Sequence, residues 1–313
     1  MSGIAGSVAI QAANAYFDAR ASEVFSAAQS KNFQAYVEEI PIDGTSLSIN
    51  SLGPNPIVEE MTGSQRFTAL RALSRMKAVV PYAQRALEFT ATQIEGDKIG
   101  LISRAIDNYL AAAASFMWKP VVDLLGTNPV GIDGVSILND THPFGSGATT
   151  WDNLVTTAFS PAALNTGVVA MTSLKTEAGM PFGIRPTHLM VEPTNERDAK
   201  DAIGVNRPMP VSTAGVVNAA SANIAAVYGE NWLRGELVLI VEPLLARTTD
   251  WFLMDLSKPG VRPMVAGVQG PVESVITMKD SQPYMQRDVI QYALRQRAAL
   301  SGFVPQCIYG RNA

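Results

Sequence analysis

The chain has 313 residues, 47% hydrophobic and 17% charged, with a formal net charge of −4 at pH 7 and one cysteine, Cys307. That length suits one large or two ordinary domains, and the lone cysteine excludes a disulfide framework or a multi-cysteine metal centre. No basic run exceeds two residues, which excludes a strongly basic nucleic-acid stripe. The first residues lack a basic leader region, and the longest apolar stretch, 109–118, is too short to cross a bilayer. The expectation is a soluble intracellular product whose sparsely charged surface is covered by copies of itself.

Residues 8–31 are rich in Ala and Ser, with Val8, Ala12, Ala15, Ala19 and Val24 loosely at helical spacing. They predict a helical or partly disordered arm with little core of its own, or else an ordinary first helix. FQAYVEEIPI, from Phe33, predicts a strand and DGTS (43–46) a turn, followed by LSINSLGPNP. LRALSRMKAVV (70–80) and RALEFTATQI (85–94) predict two more strands. No face of residues 43–83 is continuously apolar, so this segment reads as a projecting hairpin that lies on a partner.

Residues 96–126 turn helical, with Ile99, Ile102, Ile106, Leu110, Ala113, Met117, Val121 and Leu124 recurring at three and four. Asp97 stands at the capping end and Gly126 at the other, while Pro120 is a potential kink. A second helix is predicted over 160–179, with Ser160 as N-cap and Pro161 at its first position. THLMVEP (187–193) predicts a buried strand and TNERDAKDAIG (194–204) a short helix; residues 205–235 carry no clear pattern. ELVLIVEPLL (236–245), WFLMDL (251–256) and VIQYALRQRAAL (289–300) predict strands. The order is α+β, with strands distant in sequence meeting in one sheet.

The sequence has no phosphate-binding Gly-Lys motif, no GxGxxG after a strand and no GxSxG elbow. The two histidines, His142 and His188, are too far apart for a helical metal pair. NDTHPFGSGATTWDN (139–153) offers an Asp140–His142 dyad, which would serve a cytosolic hydrolase if a nucleophile or metal met it. The bland reading is a structural loop, in which glycines permit turns and Asp, Asn and Thr satisfy local amides. His188 reads as a packing residue and Cys307 as a small buried hydrophobe. The expectation is no catalytic, cofactor-binding or metal-binding residue.

Several stretches, in order, resemble the major head subunits of Mu-like phages and prophages, which share the Hong Kong 97-type capsid fold. They are LGPNPIVEEMTGSQRF through GDKIGLI, then GIDGVSILNDTHPFGSG, FGIRPTHLMVEPTNERDAKDAI, PLLARTTDWFLMDLSKPGVRPMV and DVIQYALRQRAALSGFVPQCIYG. Glu95 and Asp97 occupy the family's short acidic stretch before the spine helix. The resemblance implies an N-terminal arm (1–32), an extended loop (33–85) and a peripheral domain with the spine helix (86–135). It further implies an axial domain (136–245) and C-terminal strands returning to both domains (246–313). It implies a non-enzymatic shell protein enclosing double-stranded DNA, assembled in the host cytoplasm and residing in the virion. Its partners would be itself, in pentamers and hexamers, a separate scaffold, a portal, decoration proteins and loosely held DNA, with no membrane and no long propeptide. Arg66, Arg71, Arg75, Glu95 and Asp97 are the candidate assembly contacts. A cellular nanocompartment shell of the same fold is the nearest alternative.

Overall fold

Helices and strands alternate in an order that only non-local pairing can hold together. The computed structural model describes residues 2–27, 33–52, 72–97, 100–113, 118–143, 150–176, 179–204, 233–245, 247–258, 261–277 and 282–311. In chain order the elements begin with α1 (Ser2–Ala27), α2 (Phe33–Tyr36), β1 (Val37–Pro41), β2 (Ser46–Leu52), β3 (Ala72–Ala78), β4 (Val80–Ala83) and β5 (Leu87–Thr90). The helices α3 (Ala91–Glu95), α4 (Leu101–Ala113) and α5 (Trp118–Gly126) follow, then the short strands β6 (His142–Pro143) and β7 (Thr150–Trp151). After α6 (Pro161–Thr172) come β8 (His188–Val191), α7 (Glu196–Ile203), β9 (Val238–Val241) and β10 (Trp251–Met254). The chain closes with β11 (Met264–Ile276), α8 (Gln282–Arg287), β12 (Val289–Gly302) and β13 (Ile308–Arg311). Two compact units result, each built from separated stretches of chain.

The first unit takes Met1–Ser48, Met76–Val121 and Val265–Ser301. Its sheet runs β1-β11-β12-β4, with β5 also paired to β12. The long strand β12 meets β5 through Val289–Tyr292 and β4 through Arg295–Ala298, both antiparallel. Ile290, Tyr292 and Leu294 alternate onto one face and are buried, as the period of two requires. Ile102, Ile106 and Leu110 of α4 and Ile10, Phe17 and Ala21 of α1 complete that core.

Three expectations are settled here. Of the two readings of α1 the ordinary first helix holds, with a core of its own, but through another face than the expected spacing: Val8, Ala12, Ala15 and Ala19 are exposed, whereas Ile10, Phe17 and Ala21 are buried. Phe17 lies 5.0 Å from the Tyr292 ring, and Asp107 of α4 accepts from Tyr16 Oη at 3.0 Å and Arg20 Nε at 3.1 Å. Tyr292 Oη donates to Asn14 and Ser274 Oγ to Asp18, at 2.9 and 2.6 Å. Second, the strand expected over 85–94 stops at Thr90, because Thr90 Oγ1 accepts from Gln93 N while the Gln93 side chain accepts from Thr90 N. This reciprocal cap starts α3. Third, residues 33–36 form one helical turn before β1 rather than strand.

The spine helix begins later than its apolar pattern. Gly100 takes φ +70, and Asp97 then reaches forward, its two oxygens accepting from Leu101 N and Ile102 N at 3.0 Å each. A carboxylate there also complements the helix dipole. Pro120 falls in the first turn of α5, where a missing N–H costs no helical bond. Val121, Val122 and Leu125 are the buried residues there, one step off the expected Val121–Leu124 line. Ile99 and Met117 lie outside the described residues.

The second unit takes Ile49–Arg75, Val122–Met264 and Gly302–Ala313. Its four-stranded sheet runs β13-β10-β8-β9. β8 pairs antiparallel with β10 and parallel with β9. A parallel pair needs a crossover, and α7 lies in the chain between β8 and β9. Leu164, Val168 and Met171 of α6 and Ala199 and Ala202 of α7 pack with Leu189, Val191, Trp251, Leu253 and Tyr309. Ser160 and Pro161 cap α6 as expected, with Ser160 Oγ accepting from Ala163 N at 3.1 Å. β2 and β3 pair with each other within the expected hairpin, 43–83, of which residues 53–71 lie outside the described residues.

β13 approaches β10 without room for a side chain. A Cβ on Gly310 would stand 2.3 Å from the Trp251 carbonyl oxygen and 3.0 Å from Phe252 Cα. Gly310→Ala is expected to push the strands apart and cost about 2–3 kcal/mol, of the order seen for overpacked cores. Thermal melting checks this; an unchanged midpoint would mean the β10–β13 register is different.

Candidate functional site

The stretch 139–153 folds around its histidine. β6 and β7 pair antiparallel with His142 opposite Trp151. Directly opposed residues project to the same side, so the imidazole stacks on the indole at 4.3 Å and 15°. His142 is fully buried.

Its partners come from two directions. Asn128 adopts φ 56, a left-handed conformation that Asn tolerates. Its side chain bonds both ways to Leu138, accepting from the amide at 2.9 Å and donating to the carbonyl at 2.8 Å. Gly134, at φ +89, turns the loop so that Asp133 Oδ1 accepts from Val135 N at 3.3 Å. The other oxygen, Asp133 Oδ2, lies 2.5 Å from His142 Nδ1. On the far side of the ring, His142 Nε2 lies 3.0 Å from Asn153 Oδ1.

Asn153 is the hub. Its Oδ1 also accepts from Asn139 N at 2.8 Å, and its Nδ2 donates to the carbonyls of Ile137, Pro305 and Ile308 at 2.8, 3.0 and 3.1 Å. Its backbone continues the tie, with Gly310 N donating to Asn153 O at 3.0 Å and Val155 N to Gly310 O at 2.9 Å. One side chain thereby joins the 128–139 loop, the β6–β7 hairpin and the C-terminal strand.

This arrangement corrects the proposed dyad. The carboxylate facing His142 is Asp133; Asp140 is exposed, and Thr141 Oγ1 donates to it at 3.1 Å. Both ring nitrogens are engaged, Nδ1 with Asp133 and Nε2 with Asn153, and among the described residues neither meets a hydroxyl or thiol. The cavity beside Trp151, Asn153, Met171 and Tyr309 is about 10 Å³, room for about one water. Among the described residues no cluster of His, Cys, Asp and Glu could hold a metal, and no helix is long and apolar enough to cross a membrane. The chemistry this site supports is cohesion.

His188 is half-buried, its Nδ1 2.8 Å from Thr187 Oγ1, and burial holds its pKa below the ordinary imidazole value, with Arg262 adding to the effect and Asp255 opposing it. Cys307 is buried, with Sγ donating to Val304 O at 2.9 Å; burial first, and Asp255 second, push its thiol far up. Iodoacetamide at neutral pH is therefore expected to leave Cys307 unlabelled in the native protein and to label it after denaturation. Native labelling at the denatured rate, read by mass spectrometry, would contradict that burial.

Of the candidate assembly contacts, Arg66 and Arg71 lie outside the described residues and Arg75 lies on β3. Glu95 is exposed at the end of α3, and Asp97 caps α4. Sequence reasoning missed Asn153 and Asp133. Their signal was weak: two polar residues beside short strands, whose partners lie up to 155 positions away.

Solved phage structures share this architecture at low identity. The procapsid of bacteriophage JBD30 matches with a TM-score of 0.55 and 16% identity, over 96% of this chain and 74% of that one. The JBD30 capsid decorated with minor capsid protein trimers matches at 0.51 and 17%, over 68% and 90%. The capsid of cyanophage P-SCSP1u matches at 0.50 and 12%, over 88% and 86%. The fold is the α+β fold of Hong Kong 97-type phage capsids. No curated protein matches the chain. A family model described as phage capsid protein matches residues 73–309, and the chain belongs to that family. It is a capsid shell protein of the virion, not an enzyme.

Proposed function

We propose that this chain is the major head subunit of a Mu-like phage or prophage. Copies assemble through pentamers and hexamers into an icosahedral shell around double-stranded DNA, in the host cytoplasm. A separate scaffold, a portal and decoration proteins are its partners. The observation that carries this reading is the family match over residues 73–309, which spans the spine helix and strands of both sheets. The order of motifs supports the Mu-like assignment. Heterologous contacts that close by rotation suit one subunit type in rings, and the low charge content of 17% suits extensive subunit–subunit burial. A chain of net charge −4 gives packaged DNA little to stick to. The β2–β3 hairpin reaches over a neighbour in this reading, with Arg66, Arg71 and Arg75 meeting acidic partners there and Glu95 and Asp97 near the contact.

Particles purified after prophage induction test this reading. The expected result is that this chain is their most abundant protein and that they hold nuclease-resistant double-stranded DNA. Particles of this chain that carry protein cargo and no DNA would instead support a nanocompartment shell.

A further inference from the structure

We infer that neighbouring copies of this chain meet edge to edge across the sheet of the first unit. The β1 edge of one copy, with Glu38 and Glu39, faces the β4 edge of the next, with Arg85 and Arg297. This contact rests on the shell reading above and names one joint within it. In the sheet β1-β11-β12-β4 the inner strands and β5 balance their own charges. Glu273 of β11 meets Arg295 of β12 at 3.1 Å, and Glu88 of β5 meets Arg287 at 3.9 Å. At the base of the β2–β3 ribbon, where Val79 N donates to Thr45 O, Asp43 and Lys77 supply one charge of each sign. The remaining charge is segregated. β1 carries Glu38 and Glu39 and no base. Residues 80–86 carry Arg85 and no acid, and the exposed Arg297 stands opposite Pro81 of β4. Among the described residues none of these four side chains is in an ion pair.

Both edges are open to side chains and closed to strand addition. Ile42 N donates inward to Val268 O, and Gln84 N inward to Leu294 O, at 3.0 Å each. Backbone groups of a strand alternate in direction, so Pro41 and Pro81 fill positions whose N–H would point away from the sheet. A proline there lacks the donor that a further strand would need. Contact at these edges therefore falls to side chains. Arg295 and Arg297 stand opposite Ala83 and Pro81, so only short side chains lie between Arg297 and the edge. Partial burial raises the pKa of the Glu39 carboxyl above its ordinary value, and no cation of its own subunit opposes that. An arginine from the next copy supplies the missing countercharge. Opposite edges of identical chains make a heterologous contact, the kind that closes rings. Unlike charges steer such a contact and fix its register.

Assembly of the full chain with its cognate scaffold, read by sedimentation and negative-stain microscopy, tests this. Glu38→Lys with Glu39→Lys, and separately Arg85→Glu with Arg297→Glu, should lower the yield of shells about tenfold or more. The chain carrying all four substitutions restores opposite signs across the contact and should regain shells. Shells at wild-type yield from either double variant would overturn the inference. So would a fourfold variant that is folded by circular dichroism yet as defective as the doubles, because the edges would then serve another partner. Glu38 is half-buried, so two neutral variants guard against misfolding. Glu39→Gln and Arg297→Gln should each keep the native circular dichroism and assemble more slowly, with less salt dependence than wild type. Wild-type rates and salt dependence in both would equally remove the contact. Absence of wild-type shells would sink the shell reading and this contact with it, whereas the other adverse outcomes sink the contact alone.

Discussion

Asn153→Ala should be the most damaging single truncation in the second unit. It removes two accepted hydrogen bonds and two N–H donors shared among three carbonyl oxygens, at a fully enclosed site. At about 1 kcal/mol net for each bond, and more where a buried group is left unpartnered, the expected loss is about 4–5 kcal/mol. That is a large share of the ~5–15 kcal/mol by which such folds are stable. Asn153→Asp preserves shape yet should be no better, because a carboxylate would face three carbonyl oxygens. His142→Ala should be milder, since it leaves those three carbonyls satisfied. Chemical denaturation of the unassembled subunit ranks the three; a fully stable Asn153→Asp would mean that shape rather than donation matters there.

Ile106→Asp should be equally severe in the first unit. Ile106 is fully buried on α4 among Phe17, Ile94, Leu110 and Tyr292 in one core cluster. A carboxylate in that cluster must either ionise in apolar surroundings or fold only when protonated. The expected cost at neutral pH is about 4 kcal/mol or more, easing as pH falls, whereas Ile106→Val should cost only about 1 kcal/mol. Circular dichroism and thermal melting read both, and an unchanged Ile106→Asp midpoint would mean the spine presents another face.

These two sites differ in how far sequence reaches them. The α4 stripe is a local pattern, and Ile102, Ile106 and Leu110 are buried as their spacing predicts. The alternation of β12 is equally legible, for the same reason. α1 misleads because its many small residues give nearly equal faces, and only Ile10, Phe17 and Ala21 decide which side docks. The 13-residue strand β11 went unpredicted because Gly267, Gly270 and Pro271 interrupt its pattern; Gly270 even takes φ +74. Thr90 and Gln93 did carry a readable signal, a capping box, hidden inside a strand-like alternation. For His142 the structural reading of the loop was accessible from its turn residues. Its true carboxylate partner was not, because Asp140 is nearer in sequence and only the turn at Gly134 brings Asp133 to the ring.

The measurement that bears most directly on the central claim is electron microscopy of this protein co-expressed with its cognate scaffold. The expected result is closed shells of uniform size, with fivefold and sixfold rings of this subunit resolved on averaging. A protein that stays a well-folded monomer or dimer at high concentration, with the scaffold present, would contradict the account.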